Sequence, residues 1–274
     1  MSKSYLLLAM LVLVTFSTNA SMKNISNQHI ANLSWPEVEA AIKSTAVVII
    51  PLGAAAKEHG PHLPMNNDYL MANYLNDRVL EKIPGALALP TVNYSYYPGF
   101  LEYPGSTSLD FDVAKNMIVN ICQSLAKQGF NKFYILNTGF STIKPLQAAK
   151  EALATEKISM DYLKPPEFFD SPPIKKQETQ KTGSHADEIE TSMMLYIAPE
   201  IVRMDKAVKD EHPHQGPGGL TRDPTAKTGV YSPSGAWGDP TLATKEKGRV
   251  ITEAYLGYII KQINEFISAP DKKL

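Results

Sequence analysis

The sequence predicts an α/β protein in which a mostly parallel sheet is covered by helices on both faces. Short β-branched or apolar runs, VVII, ALALPTV and FYILN, are bounded by turn residues and read as buried strands. Between them lie segments whose apolar residues recur at helical spacing. Strands that alternate with helices imply parallel pairing through helical crossovers. The 274 residues hold a single cysteine, Cys122. No intramolecular disulfide is available, and the chain is long enough to rely on a hydrophobic core instead.

Taken in order, Ser34 opens a helix, with Glu37 three residues later completing a capping box. VVII (Val47 to Ile50) is a strand closed by Pro51 and Gly53. A helix from about Asp68 carries Leu70, Met71, Tyr74, Leu75, Val79 and Leu80 on one side and stops before Gly85. ALALPTV (Ala86 to Val92) is the next strand. From Asp110 a helix carries Val113, Met117, Ile121 and Leu125, and Gly129 ends it. FYILN (Phe133 to Asn137) is a strand, followed by a helix near Pro145 to Thr155 and a strand at Ile158 to Leu163. Two stretches break this rhythm: the Pro- and Lys-rich 165–183, and the turn-rich 212–240. Loops that long inside a compact domain are usually functional or disordered, and the second is read as an active-site cover or an inter-subunit arm.

The first twenty residues have one basic residue, Lys3, an apolar run from Tyr5 to Phe16 and small residues ending at Ala20. This is the layout of a secretory leader, and the run falls well short of the ~20 residues needed to span a bilayer. The expected organisation is a leader over 1–20, a tail over 21–32, one large domain over 33–268 and a tail over 269–274. The mature chain is expected to be periplasmic or secreted, with no membrane anchor. Basic and acidic residues number 27 and 28, so no basic face is available for a nucleic-acid partner.

Two segments carry candidate chemistry. KEHGPHLPMNND (Lys57 to Asp68) leaves the carboxyl end of the first strand, where α/β sheets gather their ligands. Glu58, His59 and Asp68 offer oxygen and nitrogen donors that suit zinc or manganese, although a polar loop before a helix has the same composition. In SHADEIETSMMLYIAPE (Ser184 to Glu200), at about 100° per residue, Glu190 falls inside the arc of Ile189, Met193, Ile197 and Met194. A carboxylate on an apolar face needs a counter-charge or a metal. Glu188 lies on the opposite side and is expected in water, and His185 sits at the edge of the buried face. His62 is expected to support a ligand, His29 to be solvated, and His212 and His214 to form an exposed loop pair. There is no phosphate loop, nucleophile elbow or Cys/His dyad.

In this order, IPLG…KEHGPHLPMNND, HADEIETSMMLYIAPE and TGVYSPSGAWGDPTLATKEKG resemble the creatininase family of metal-dependent amidohydrolases, from about Leu33 to Ile267. The resemblance implies a three-layer α/β/α sandwich, a hexamer, and a two-metal centre that hydrolyses amide C–N bonds in small, often cyclic, molecules. It implies that His59 is a metal ligand, that Asp68 bridges the ions, that His185 transfers protons and that Glu190 is the acid of the ETS motif. The chain also departs from the pattern. Lys57 stands where the family has glutamate, and an extra residue in the loop suggests that a bulge brings Glu58 to that place. NTGFST (Asn137 to Thr142) stands where the family resembles NGHGGN, with Gly139 at the histidine and Ser141 unable to replace a carboxylate.

Three arrangements remain open. One ion sits on Glu58, His59 and Asp68 with water; or His185 or Glu190 is recruited as a ligand; or catalysis is lost. The expected function is a metal-dependent amidohydrolase, with one or two divalent ions (zinc or manganese) and a small-molecule amide as substrate. His185 and Glu190 are its catalytic residues, and Glu58, His59 and Asp68 its metal ligands. The alternative is a degenerate, non-catalytic binding protein.

Overall fold

The computed structural model describes residues 28–270. The expected leader, the first part of the expected tail and residues 271–274 lie outside them. Ser34 precedes α1 (Trp35–Ala41), and its N–H donates to the Glu37 carboxylate at 2.7 Å, closing the capping box. There follow β1 (Val47–Leu52), α2 (Asn67–Leu80), β2 (Ala86–Ala88), α3 (Phe111–Ala126), β3 (Lys132–Asn137), α4 (Ile143–Thr155) and β4 (Ser159–Tyr162). The 165–183 connection folds into two short helices, α5 (Pro165–Phe169) and α6 (Pro172–Lys175). Then come α7 (Glu188–Ile197), the two-residue strands β5 (Leu220–Thr221) and β6 (Val230–Tyr231), and α8 (Lys245–Ser268).

The sheet order is β2-β1-β3-β4, all parallel, with Ile49 opposite Ala88 on one side and Tyr134 on the other. All of β1 is buried, as a central parallel strand covered on both faces must be. Alternate residues supply two cores. Val47 and Ile49 join Leu75 and Val79 of α2, Met193 of α7, and Ile251, Tyr255 and Ile259 of α8. Val48, Ile50 and Leu52 join Ile118 and Cys122 of α3, and Leu146 and Leu153 of α4. The result is an α/β/α sandwich. Among the described residues no helix is long and apolar enough to cross a membrane.

Several expectations need correction. β2 ends at Ala88, because Pro90 has no N–H for the ladder, and only an isolated bridge at Val92 resumes the pairing. α3 buries Ala114, Ile118, Val119 and Cys122, while Val113 is exposed. Residues 28–32 are not a free tail. The buried Gln28 side chain donates to the carbonyls of Ile83 and Ala86, and His29 pairs with Asp77 at 3.0 Å. The long helix α8 adds to the expected elements; behind its capping residue Thr244, the buried Ile251, Tyr255, Ile259 and Ile263 recur every fourth residue.

Candidate metal centre

The carboxyl ends of β1 and β3 lie side by side, with Leu52 opposite Asn137. The segment after β1 therefore faces the segment after β3 across a cavity of about 510 Å³. Lys57, Asp68, Phe100, Gly139, His185 and Glu190 lie in its wall.

Glu190 belongs to the first turn of α7. Asp187 caps that helix by accepting from the Glu190 N–H at 2.9 Å. The Glu190 carboxylate accepts from Asn67 Nδ2 and from the Ala186 N–H, both at 2.8 Å, which fixes it toward the cavity. Ala186 has φ +47, a left-handed conformation that costs a non-glycine residue about 1 kcal/mol or more. His185, just before it, is pinned by an antiparallel bridge to Trp237 of the long 212–240 loop. That loop is thus a wall of the site, as its reading as a cover expects.

His59 is fully buried. Its Nδ1 lies 2.9 Å from the Lys57 carbonyl, and its Nε2 faces Asp68 Oδ1 at 2.8 Å and Glu190 Oε1 at 3.5 Å. His185 Nε2 lies 2.9 Å from Glu58 Oε1, and its Nδ1 is 3.9 Å from Glu190 Oε2. Glu58 Oε2 accepts from the Gly60 N–H at 2.9 Å. Both Glu58 oxygens are thus engaged, and Glu58 does not swing beside Asp68 as the bulge idea expected. Lys57 goes there instead, with its ammonium 2.7 Å from Asp68 Oδ2 and largely buried. Removing either partner would strand a buried charge, a loss of about 3–5 kcal/mol.

The electrostatics follow the contacts. Burial pushes the Lys57 ammonium down, but Asp68, Glu190 and Glu58 outweigh it and hold its pKa above the ordinary value. Burial raises Asp68, yet Lys57 and His59 hold it well below the carboxylate range. Burial disfavours ionised Glu58 and charged His185, and each overcomes this through the other: Glu58 is lowered and His185 raised. Asp187, buried beside them, is pushed up to about 6.

Which residues could hold a metal follows from the donors. His59, His185 and Glu190 place one ligand atom each within 4.8 Å of one another. With Nδ1 of His59 facing a carbonyl and Nε2 of His185 facing a carboxylate, His185 Nδ1 is free as a ligand, and His59 Nε2, now 2.8 Å from Asp68 Oδ1, would trade its proton for the ion. Two imidazoles and a carboxylate suit zinc or manganese. Asp68 Oδ2 meets Lys57 charge to charge and has no aligned hydrogen-bond donor. The residues present fit a divalent ion. The three gathered residues combine one expected ligand, His59, with the two expected catalytic residues; Glu58 and Asp68 stand behind them.

The 137–142 turn sends no donor into this group. The Asn137 side chain bonds Gly139 at both its N–H and its carbonyl and accepts from Thr142 Oγ1, while Ser141 Oγ donates to the Tyr96 carbonyl. Glu188, expected in water, is fully buried. It accepts from the N–H groups of Thr179 and Gln180 and pairs with Lys247 of α8. The helical wheel showed its direction correctly but not the chain segments that cover that side.

Residues 31–263 match the model of the creatininase family, described as creatinine amidohydrolase. The chain belongs to the creatininase family. A creatinine amidohydrolase of Pseudomonas putida is 27 % identical over 261 residues, covering 86 % of this chain and 96 % of the relative. A 3-dehydro-scyllo-inosose hydrolase of Thermotoga maritima is 24 % identical over 282 residues, covering 90 % and 86 %. A solved creatininase described as its Mn form superposes with a TM-score of 0.72 at 26 % identity, covering 88 % of this chain and 99 % of that one.

Proposed function

We propose that this creatininase-family chain is a metal-dependent amidohydrolase that cleaves a C–N bond other than a peptide bond in a small molecule. The observation that carries this is the buried His59–His185–Glu190 group opening onto the cavity. Family membership and the amidohydrolase relative support it.

A divalent ion held by these three residues supplies Lewis acidity, polarising the amide carbonyl and acidifying water. The chain's own residues do the rest. His59, His185 and Glu190 would hold the ion, and the Lys57 carbonyl and the Glu58 carboxylate, each 2.9 Å from a ring nitrogen, orient the two rings from behind. Glu58 also takes up positive charge that develops on His185 through its bond to Nε2. Asn67 and the Ala186 N–H keep Glu190 from rotating away. Phe100, its ring centre 4.7 Å from that of His185 and tilted by 46°, and Trp237 line the cavity beside the site.

The test is metal content and turnover on the reconstituted protein, with a panel of cyclic amides, open-chain amides and short peptides. We expect a stoichiometric ion that is bound at least tenfold more weakly in His59→Ala and in His185→Ala, and turnover of a non-peptide amide that Glu190→Gln lowers at least a hundredfold. A protein that binds no ion would remove the proposal. A protein that keeps its ion but turns over nothing would favour a non-catalytic binding role, for which the closed 137–142 turn is the supporting feature. Export to the periplasm or medium is proposed from the Tyr5–Phe16 run and the small residues ending at Ala20, and a hexamer from the resemblance. Mass spectrometry and light scattering on the same preparation check both; a retained Met1 or a monomer would sink them.

A further inference from the structure

Six ionisable side chains touch one another in an unbroken chain: Lys57, Asp68, His59, Glu190, His185 and Glu58. With the imidazoles neutral, as ligands must be, three carboxylates face one ammonium, and the group lacks two positive charges. One divalent ion supplies that charge. Two ions beside the ammonium would leave an excess of buried positive charge, which is strongly unfavourable in a low-dielectric interior.

The geometry agrees with the charge count. The Lys57 ammonium is 2.7 Å from Asp68 Oδ2, so the oxygen that could reach a second ion already faces a cation, while Oδ1, 2.8 Å from His59 Nε2, lies on the side of the first ion. Lys57 cannot easily leave. Its Nζ sits 4.8 Å from the Phe100 ring centre and 5.7 Å from that of Tyr97, and the side chain is only 7 % exposed. Across the cavity, the 137–142 turn spends its polar side chains on itself and on the carbonyls of Leu52, Tyr96 and Leu163. No donor from there reaches toward a second ion.

We infer that the Lys57 ammonium is a built-in cation that stands on Asp68 in place of a second metal, so that this chain works with one divalent ion rather than two. The inference rests on the metal-dependent reading above. Lys57 therefore fixes the stoichiometry of the site through charge and position rather than by ligation.

The experiment is zinc and manganese content per chain, by mass spectrometry after reconstitution and dialysis, on the full mature protein and two variants. The unaltered protein is expected to hold one ion. Lys57→Glu, which removes the ammonium and adds a carboxylate, is expected to hold two. Lys57→Met combined with Asp68→Asn removes both charges together and avoids stranding one; it is expected to fold and to hold one ion. Two ions in the unaltered protein would overturn this inference and leave the proposed function standing. A folded Lys57→Glu protein with one ion, or a folded double variant with none, would overturn it as well. No ion in any of the three would overturn both.

Discussion

At the scale of single residues, the site shows how adjacent positions are sorted by their surroundings rather than by their type. Lys57 and Glu58 are neighbours, yet the cation turns to Asp68 and the carboxylate to His185. His62 makes a second case. It is fully buried, its Nε2 lies 2.8 Å from Thr191 Oγ1, and its Nδ1 has no partner. Burial lowers its pKa from 6.5 to about 4. Between those values the unfolded chain binds the proton and the folded one does not, so stability rises with pH across that window and is lost as pH falls through it. The full shift corresponds to roughly 3 kcal/mol. In His62→Gln, which keeps a partner for Thr191, urea midpoints measured from pH 4 to 7 should vary less than in the parent. Equal slopes in the two proteins would show that His62 is not the responsible group. His59, Asp68, His185 and Glu190 could all be picked out in the sequence as candidates by residue type, spacing and family likeness. Which of Lys57 and Glu58 meets Asp68 could not, because the chain leaving β1 is irregular and has no period to read.

At the scale of elements, the site depends on how closely α7 lies on α8. A Cβ on Gly248 would fall 1.7 Å from the Ser192 carbonyl oxygen and 2.4 Å from its carbon. In an open helix Gly→Ala gains about 1 kcal/mol. Here the clash is with backbone, so Gly248→Ala should instead cost about 3 kcal/mol or more and lower the melting temperature by roughly 6–12 °C. Since α7 carries Glu190, the same variant should bind its ion more weakly. A melting temperature at or above the parent's would mean that the helices can separate freely. The strands were legible because buried parallel strands read as uninterrupted β-branched runs, as VVII does. The exposure of Val113 and the burial of Glu188 were not. A helix's own sequence shows which sides differ, whereas its neighbours decide which side is covered, and for Glu188 those neighbours are residues 179–180 and Lys247.

At the scale of the whole molecule, the cavity is closed by pieces distant in sequence, and glycine lets them meet. Gly219, in the long loop, lies against Gly99, in the turn 98–100; a Cβ on Gly219 would come within 2.2 Å of Gly99 Cα and 2.7 Å of its carbonyl oxygen. The next residue, Phe100, covers both the His185 ring, at 4.7 Å, and the Lys57 ammonium, at 4.8 Å. Pushing Gly99 outward would therefore move the aromatic roof while leaving the two cores of the sandwich untouched. Gly219→Ala should raise KM for an amide substrate about tenfold, an effect of about 1.4 kcal/mol, with metal content unchanged and a melting temperature within a few degrees of the parent's. A KM equal to the parent's would mean that the loop does not shape the cavity. Loss of bound metal would mean that the roof is needed to hold the ligands as well as the substrate. Either result would separate the two tasks that the 212–240 loop combines, since the same loop pins His185 through Trp237 and roofs the cavity through Gly219.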